Sequence, residues 1–373
     1  MPESLSKIPG GMRYHFGREA RLRRAVEGAA LAVFDGWGYE EIATPAVDYY
    51  ALFERGMGRD EASRAFRFTD ADGRLLALRP DVTSSVARAA ATLFAAAARP
   101  LRFCYAESVF RQRPRSHAEW KRQGRQVGCE LIGAGGPAPD LEVLAIAAEV
   151  LERLGLRARC RVTVNHVGVF NGLAGQLGLD DEAREQLRRL VDARDAGGLE
   201  DLLARRAEGG PPSALAARLS RLSGKREALA AARALVSNER TSAALAALEQ
   251  VWETVEALGL ADLFEVDLGD VAGLDYYTGL IFKIYVGGAG SRVGGGGRYD
   301  ELTANFGRRE PAVGFVLDLD AITEVLARAD SAPENGETTP AAAVEGESLS
   351  GRLLEAKGRR ARGERVRLAL RGE

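Results

Sequence analysis

The chain has 373 residues, 46% of them hydrophobic and 28% charged, and a formal net charge of −2. This is an ordinary globular composition with enough apolar residues for a sizeable core, and the length alone suggests roughly two to three domains. The near-neutral balance argues against a protein built mainly around nucleic-acid phosphates, which demand a large positive footprint, and leaves room for a local basic patch.

After Pro9-Gly10-Gly11, the spacing of Leu22, Val26, Ala29, Ala30 and Val33 predicts a helix from about Gly17 to Asp35. "WGYEEIATPAV" reads as a turn and a strand bent at Pro45. Two alternating runs around Asp70-Ala71-Asp72-Gly73 predict a hairpin, followed by a helix over Thr83–Ala97. "LRFCYAESVF" and "RQVGCELIG" are strands joined by a polar loop, Asp140–Leu154 is a helix, and "RARCRVTVNHVGVF" reads as one strand. From about residue 178 to 258 the texture turns to Ala, Leu, Arg and Glu at helical spacing, which predicts a helical insertion. Strands resume at "LFEVDLGD" and "LIFKIYVGG", Gly288–Gly297 reads as a glycine-rich turn, and "AVGFVLDLDAITEVLARA" as a strand running into a helix. Residues 1–329 are therefore expected to form one α+β core. Residues 330–348, rich in Pro, Thr and Glu, are expected to be a disordered linker, and 349–373 a short helix and strand too small for a core of their own.

Several kinds of chemistry find little support. Gly133 to Ala138 fits G-x-G-x-x-A, yet Pro137 sits where a helix would donate amides to a pyrophosphate, and no βαβ repeat surrounds it. Gly294–Gly297 lacks the Lys-Ser/Thr of a phosphate loop and reads as a tight turn or a close backbone approach. His15, His117 and His166 have no partner at metal-ligand spacing, and Cys104, Cys129 and Cys160 read as reduced thiols. The chain shows no apolar leader or membrane-length run, so a cytoplasmic protein is expected.

Two features are more informative. Arg111, Arg113, Arg115, Lys121, Arg122 and Arg125 crowd one loop against the single Glu119, which marks either a solvated hairpin or an anion site. Beside it, alternation sets Gln126, Gly128 and Glu130 on one strand face, offering hydrogen bonds to a ligand lying over the glycine.

"IPGGMRY", "GYEEIATPAVDYYALFERGMG", "FRFTDADGRLLALRPDVT", "QVGCELIG", "GLDYYTGLIF", "GGRYDEL" and "AVGFVLDLD" occur in the order and spacing of histidyl-tRNA synthetases, and the chain resembles that family from about Pro9 to Ala327. The resemblance implies a class II aminoacyl-tRNA synthetase-like antiparallel sheet flanked by helices, dimerising around Pro45. It also implies a histidine pocket. Asp81 and Thr83 would meet the α-amino group, Arg111 and Gln126 the carboxylate, and Glu130 and Tyr277 the imidazole. Tyr276 would line the same edge and Tyr299 would close the site.

The nucleotide side of the family's site does not carry over. Ala272 stands where the synthetases have an arginine before Gly-Leu-Asp-Tyr-Tyr, and Ala321 where a second arginine clamps the triphosphate. "FRQRP" lacks the nucleotide-binding Glu, Gly124 replaces the adenine-stacking aromatic, and the anticodon-binding domain is expected to be missing, with the linker and short tail in its place. With "LRPDVT", these departures make the chain similar to the paralogous regulatory subunits of ATP phosphoribosyltransferase. That resemblance implies no catalytic residues and no cofactor, a short-form catalytic subunit as partner, self-association, and L-histidine as feedback effector. A histidyl-tRNA synthetase or a synthetase-like tRNA-binding protein is the alternative.

Overall fold

The computed structural model describes residues 7–113, 121–206, 211–219, 221–236, 238–271, 276–329, 341–346 and 348–369. It divides into two units, residues 1–329 and 330–373. In the first, α1 (Gly17–Gly36) buries Leu22, Val26, Ala30, Val33 and Phe34 along one face. Then come β1 (Glu40–Glu41), β2 (Val47–Tyr49), α2 (Tyr50–Met57) and the single turn α3 (Arg59–Ala62). The hairpin of β3 (Arg67–Thr69) and β4 (Leu75–Leu78) closes around Asp70, whose Oδ1 accepts from the amides of Asp72 and Arg74 (3.0 and 2.8 Å). With β2 they form a separate three-stranded sheet in the order β2-β4-β3.

Helix α4 (Thr83–Ala91) stops at Ala91 rather than at Ala97. The Thr92 hydroxyl turns back onto the Arg88 carbonyl (2.7 Å), and Arg99 takes the carbonyls of Phe94 and Ala97 (2.9 and 2.8 Å), so side chains replace the helical ladder. The strands β5 (Leu101–Phe110) and β6 (Gln123–Ile132) pair antiparallel along their whole length. The turn into α5 (Pro137–Arg153) holds Gly133 and Gly136 at φ +93 and +82, and Arg298 binds the Gly136 carbonyl (3.0 Å). That stretch is a structural turn.

β7 (Cys160–His166) is shorter than expected, because Val167 begins α6 (Val167–Gln176). His166 Nδ1 accepts from the Gly168 amide (3.0 Å), a side-chain cap that ends the strand despite the β-branched valines beyond it. The insertion follows as α7 (Asp181–Asp192), α8 (Ala196–Arg206), α9 (Pro211–Leu219), β8 (Ser223–Gly224), α10 (Arg226–Arg233) and α11 (Glu239–Ala257). Its strand β8 pairs with β9 (Phe264–Asp267). Next are β10 (Leu280–Val286), β11 (Gly294–Arg298), β12 (Ala312–Asp318) and α12 (Leu319–Arg328).

Nine strands make the main sheet in the order β1-β5-β6-β12-β11-β10-β7-β9-β8. The expected antiparallel sheet is a mixed one. Pairing is antiparallel from β5 through β7, but β1 runs parallel to β5 and β9 parallel to β7. A parallel neighbour needs a long crossover, and the helical insertion between β7 and β9 supplies it. The second correction concerns the glycines: Gly294–Gly297 belong to a central strand, not a turn. A Cβ at Gly296 would collide with the Gly314 carbonyl, and one at Gly295 would stand 2.7 Å from the Phe282 carbonyl. Helices α1, α5 and α12 pack on one sheet face. The opposite face gathers Val82, Val86 and Ala90 of the α4 segment against Phe103, Tyr105, Ile132 and Tyr299.

In the second unit, β13 (Ala342–Val344) pairs in parallel with β14 (Val366–Leu368) across α13 (Leu349–Ala361), burying Val344, Ala356 and Val366. Residues 342–344 are therefore a strand within the stretch expected to be linker, and the terminal piece is a small β-α-β unit. Residues 330–340 lie outside the described residues. No helix among the described residues is long and apolar enough to cross a membrane.

Candidate functional site

The site is built on the sheet face beneath α4. Glu130, in the middle of β6, is only 1% exposed. Its carboxylate accepts from the Tyr105 hydroxyl (3.1 Å), from the Tyr299 hydroxyl and from Thr83. Burial pushes this carboxyl up to about 7; the nearby Asp81 adds to the rise, and the three hydroxyl bonds oppose it.

Pairing explains how an acid of this size fits. Glu130 lies opposite Gly314 of β12, which lies opposite Gly297 of β11. A Cβ at Gly314 would strike Glu130 Oε2, and one at Gly297 would stand 2.9 Å from the Tyr277 ring. The glycines make room for the carboxylate and the aromatic wall. Tyr276 stands 5.4 Å from Tyr299 and meets Tyr277 edge-on at 5.0 Å, ring centre to ring centre.

Asp81 leads into α4. It accepts from the Thr83 amide (2.6 Å) and the Ser84 hydroxyl (2.8 Å), which orients it at the helix start. The bonds described for Asp81 and Glu130 thus come from hydroxyls and an amide, with no ion pair to either among the described residues. A tyrosine-lined pocket with two such carboxylates suits a cationic ligand bearing a polar ring.

Six of the expected residues, Asp81, Thr83, Glu130, Tyr276, Tyr277 and Tyr299, come together here. Gln126 and Arg111 mark the other end of the same strands. Gln126 lies between Glu107 and Asp318, and Arg111 follows β5 with its amide on the Arg122 carbonyl (2.8 Å). Tyr105 was not among the expected residues, and it corrects the reading of Gly128. The space over that glycine holds the Tyr105 phenol, whose oxygen would be 2.8 Å from a Cβ there. A buried tyrosine directly opposite a glycine across β5 and β6 is the signal that finds it.

The corner toward α12 is closed by acids. Asp318 caps α12 through the Ala321 amide (2.9 Å), and burial raises its carboxyl while Lys121 and Arg111 pull it down. Asp320, also buried, accepts from Arg23 Nε (2.7 Å) and the Arg125 amide (3.0 Å). The basic loop is largely spent on such partners: Arg125 forks onto Glu27 (2.9 Å twice), Lys121 meets Glu324 (2.7 Å), and Arg122 lies 4.6 Å over the Phe66 ring. Arg115, His117 and Glu119 lie outside the described residues, as does Ala272. His15 bonds Glu19 (2.9 Å), the three cysteines are free thiols, and no metal-binding cluster occurs among the described residues.

Sheet and pocket together define a class II synthetase-like protein of the histidyl-tRNA synthetase type, and the family profile described as Histidyl-tRNA synthetase matches residues 11–322. Two curated relatives are called ATP phosphoribosyltransferase regulatory subunit. The one from Moorella thermoacetica is 38% identical, covering 95% of this chain and 89% of its own. That from Desulfitobacterium hafniense is 34% identical over 98% of this chain and 92% of its own. A crystal structure from Bacillus halodurans, described as an ATP phosphoribosyltransferase regulatory subunit/histidyl-tRNA synthetase, superposes with a TM-score of 0.88 at 28% identity, covering 99% and 94% of the two chains. The chain belongs to the ATP phosphoribosyltransferase regulatory subunit family.

Proposed function

We propose that this chain acts in the cytoplasm as the non-catalytic regulatory subunit of an ATP phosphoribosyltransferase. It joins a short-form catalytic subunit, is required for the first step of histidine biosynthesis, and conveys feedback inhibition by L-histidine bound beside Glu130. The observation that carries this reading is the contrast between the two ends of β6 and β12: the Glu130 pocket is kept, while the corner toward α12 is filled by Asp318 and Asp320. Adenylation needs fixed positive charge at the developing phosphorane, and losing one such donor costs about 2.7–4 kcal/mol. Two acids in place of that charge support a chain that binds histidine without activating it. Feedback follows from linkage: histidine must favour the inactive assembly, and the coupling is reciprocal.

An apolar face supports self-association. In the three-stranded sheet, Tyr49 and Phe68 flank Leu76 in one row, and they are 45% and 42% exposed. The decisive experiment mixes the chain with a short-form catalytic subunit. Co-purification, raised turnover and inhibition by histidine are expected. Failure to bind and to activate would overturn the proposal, as would histidine-dependent ATP–pyrophosphate exchange by the chain alone.

A further inference from the structure

The segment that leads into α1 takes no part in the pocket, yet it is firmly held and presents large side chains to solvent. The Met12 amide donates to the Pro9 carbonyl (3.1 Å), and the Gly11 carbonyl accepts from the Arg122 amide (2.9 Å). Arg13 meets Glu19 and also Glu324 of α12 (3.1 Å), and His15 bonds Glu19. With Arg13 and His15 engaged, alternation along the extended chain leaves Tyr14 and Phe16 outward, 76% and 79% exposed. Among the described residues the amides of Tyr14, His15 and Phe16 donate no hydrogen bond. An extended segment with an unused backbone edge and two exposed rings is suited to strand addition by another chain.

The charge beside these rings has one sign. Arg18, Arg21 and Arg24 recur at every third residue of α1, outside the row of Leu22, Val26 and Ala30 that the helix buries. None of the three has an ion pair among the described residues, and the Arg21 Nε is buried without a hydrogen-bond partner. Cations near the start of a helix oppose its dipole, so α1 itself gains nothing from them. An acidic partner satisfies all three.

We propose that Tyr14, Phe16 and this arginine row are the docking surface for the short-form catalytic subunit, which lays an extended, acidic segment along them. This rests on the regulatory-subunit reading above. The surface uses no residue of the row Tyr49–Leu76–Phe68 assigned to self-association. It is also braced to the strands that carry Tyr105 and Glu130: the Arg111 amide donates to the Arg122 carbonyl (2.8 Å) at the end of β5 and β6, and Lys121 shares Glu324 with Arg13 (2.7 Å). Partner and effector thus bear on the same strands, the arrangement by which each biases the other.

Rings and arginines have separable roles. Aromatic side chains buried at an interface concentrate its binding energy, whereas rim charges act on the association rate and its salt dependence. Surface plasmon resonance between the full chain and a purified short-form catalytic subunit tests both, with sedimentation of the chain alone beside it. Tyr14→Ala with Phe16→Ala is expected to weaken binding at least about tenfold, mainly through faster dissociation. Arg18→Glu with Arg24→Glu is expected to slow association roughly tenfold at low salt, with the difference shrinking as salt rises. Both variants should keep the wild-type mass and circular dichroism spectrum when alone. Wild-type kinetics in the aromatic variant overturn the docking surface alone. Wild-type association in the arginine variant overturns the acidic partner; so does a wild-type association rate that ignores salt, which stands by itself if that variant does not fold. A lower mass for either variant alone makes the surface a contact between copies and overturns the proposal. Absence of binding by the wild type overturns it together with the regulatory-subunit reading.

Discussion

At Glu130 the surrounding residues decide whether an acid can be buried. Gly314 leaves it space, Tyr105 and Tyr299 satisfy its oxygens, and no ion pair to it occurs among the described residues. Its carboxyl is raised from an ordinary 4.5 to about 7, so the sign of its effect on stability is fixed. The protonated form's contribution is complete below about pH 4.5 and is lost as pH rises through 7. Without ligand, Glu130→Gln is therefore expected to gain stability relative to the wild type between pH 5 and pH 8, by up to about 3 kcal/mol. Urea unfolding at both pH values measures this; an unchanged difference would contradict a buried, unpaired carboxyl. Period-two alternation is enough to place Gln126, Gly128 and Glu130 on one face. It does not reveal that Tyr105 fills the space over Gly128, because that contact depends on the register of a second strand.

Among the elements, β11 shows where local reading fails. Four consecutive glycines signal a turn when only chain flexibility is weighed. In the sheet they form a strand, because carbonyls of the flanking strands and, at Gly297, the Tyr277 ring occupy the positions their side chains would need. The strand is anchored by Arg298, whose Nη2 reaches Asp140 of α5 (2.7 Å) and the Gly136 carbonyl (3.0 Å). Both members of that ion pair are largely buried, and removing one partner of such a pair typically costs about 3–5 kcal/mol. Arg298→Met is expected to destabilise by that order in chemical unfolding at pH 7. The cost should be smaller at pH 5, since Asp140, already raised by burial, would take up a proton once its partner is gone. The amphipathic α1 and the β3–β4 hairpin were readable from spacing and turn chemistry alone. The parallel edges were not, because they depend on where the chain returns after a long helical excursion.

For the whole molecule, the row Tyr49–Leu76–Phe68 gives the self-association proposal a direct check. Tyr49→Asp with Phe68→Asp places charge on an exposed apolar face without touching the Glu130 pocket. Sedimentation is expected to show a dimer for the wild type and half that mass for the double variant, with an unchanged circular dichroism spectrum. A monomeric wild type would remove the proposal. The family was readable because seven separated segments keep their order. The altered nucleotide corner is visible as substitutions, but its closure by Asp320, held by Arg23 and by the Arg125 amide, emerges only once α1, β6 and α12 meet.

The phenols of Tyr105 and Tyr299 are tied to Glu130 before any ligand arrives. Freezing a mobile side chain on binding costs about 0.5–1.5 kcal/mol, and these two have already lost that freedom. Arrival of the proposed histidine ligand would then change the local field more than the local order. A message leaving this pocket would travel as altered electrostatics across a stiff sheet, with little of it carried by side chains that settle into place.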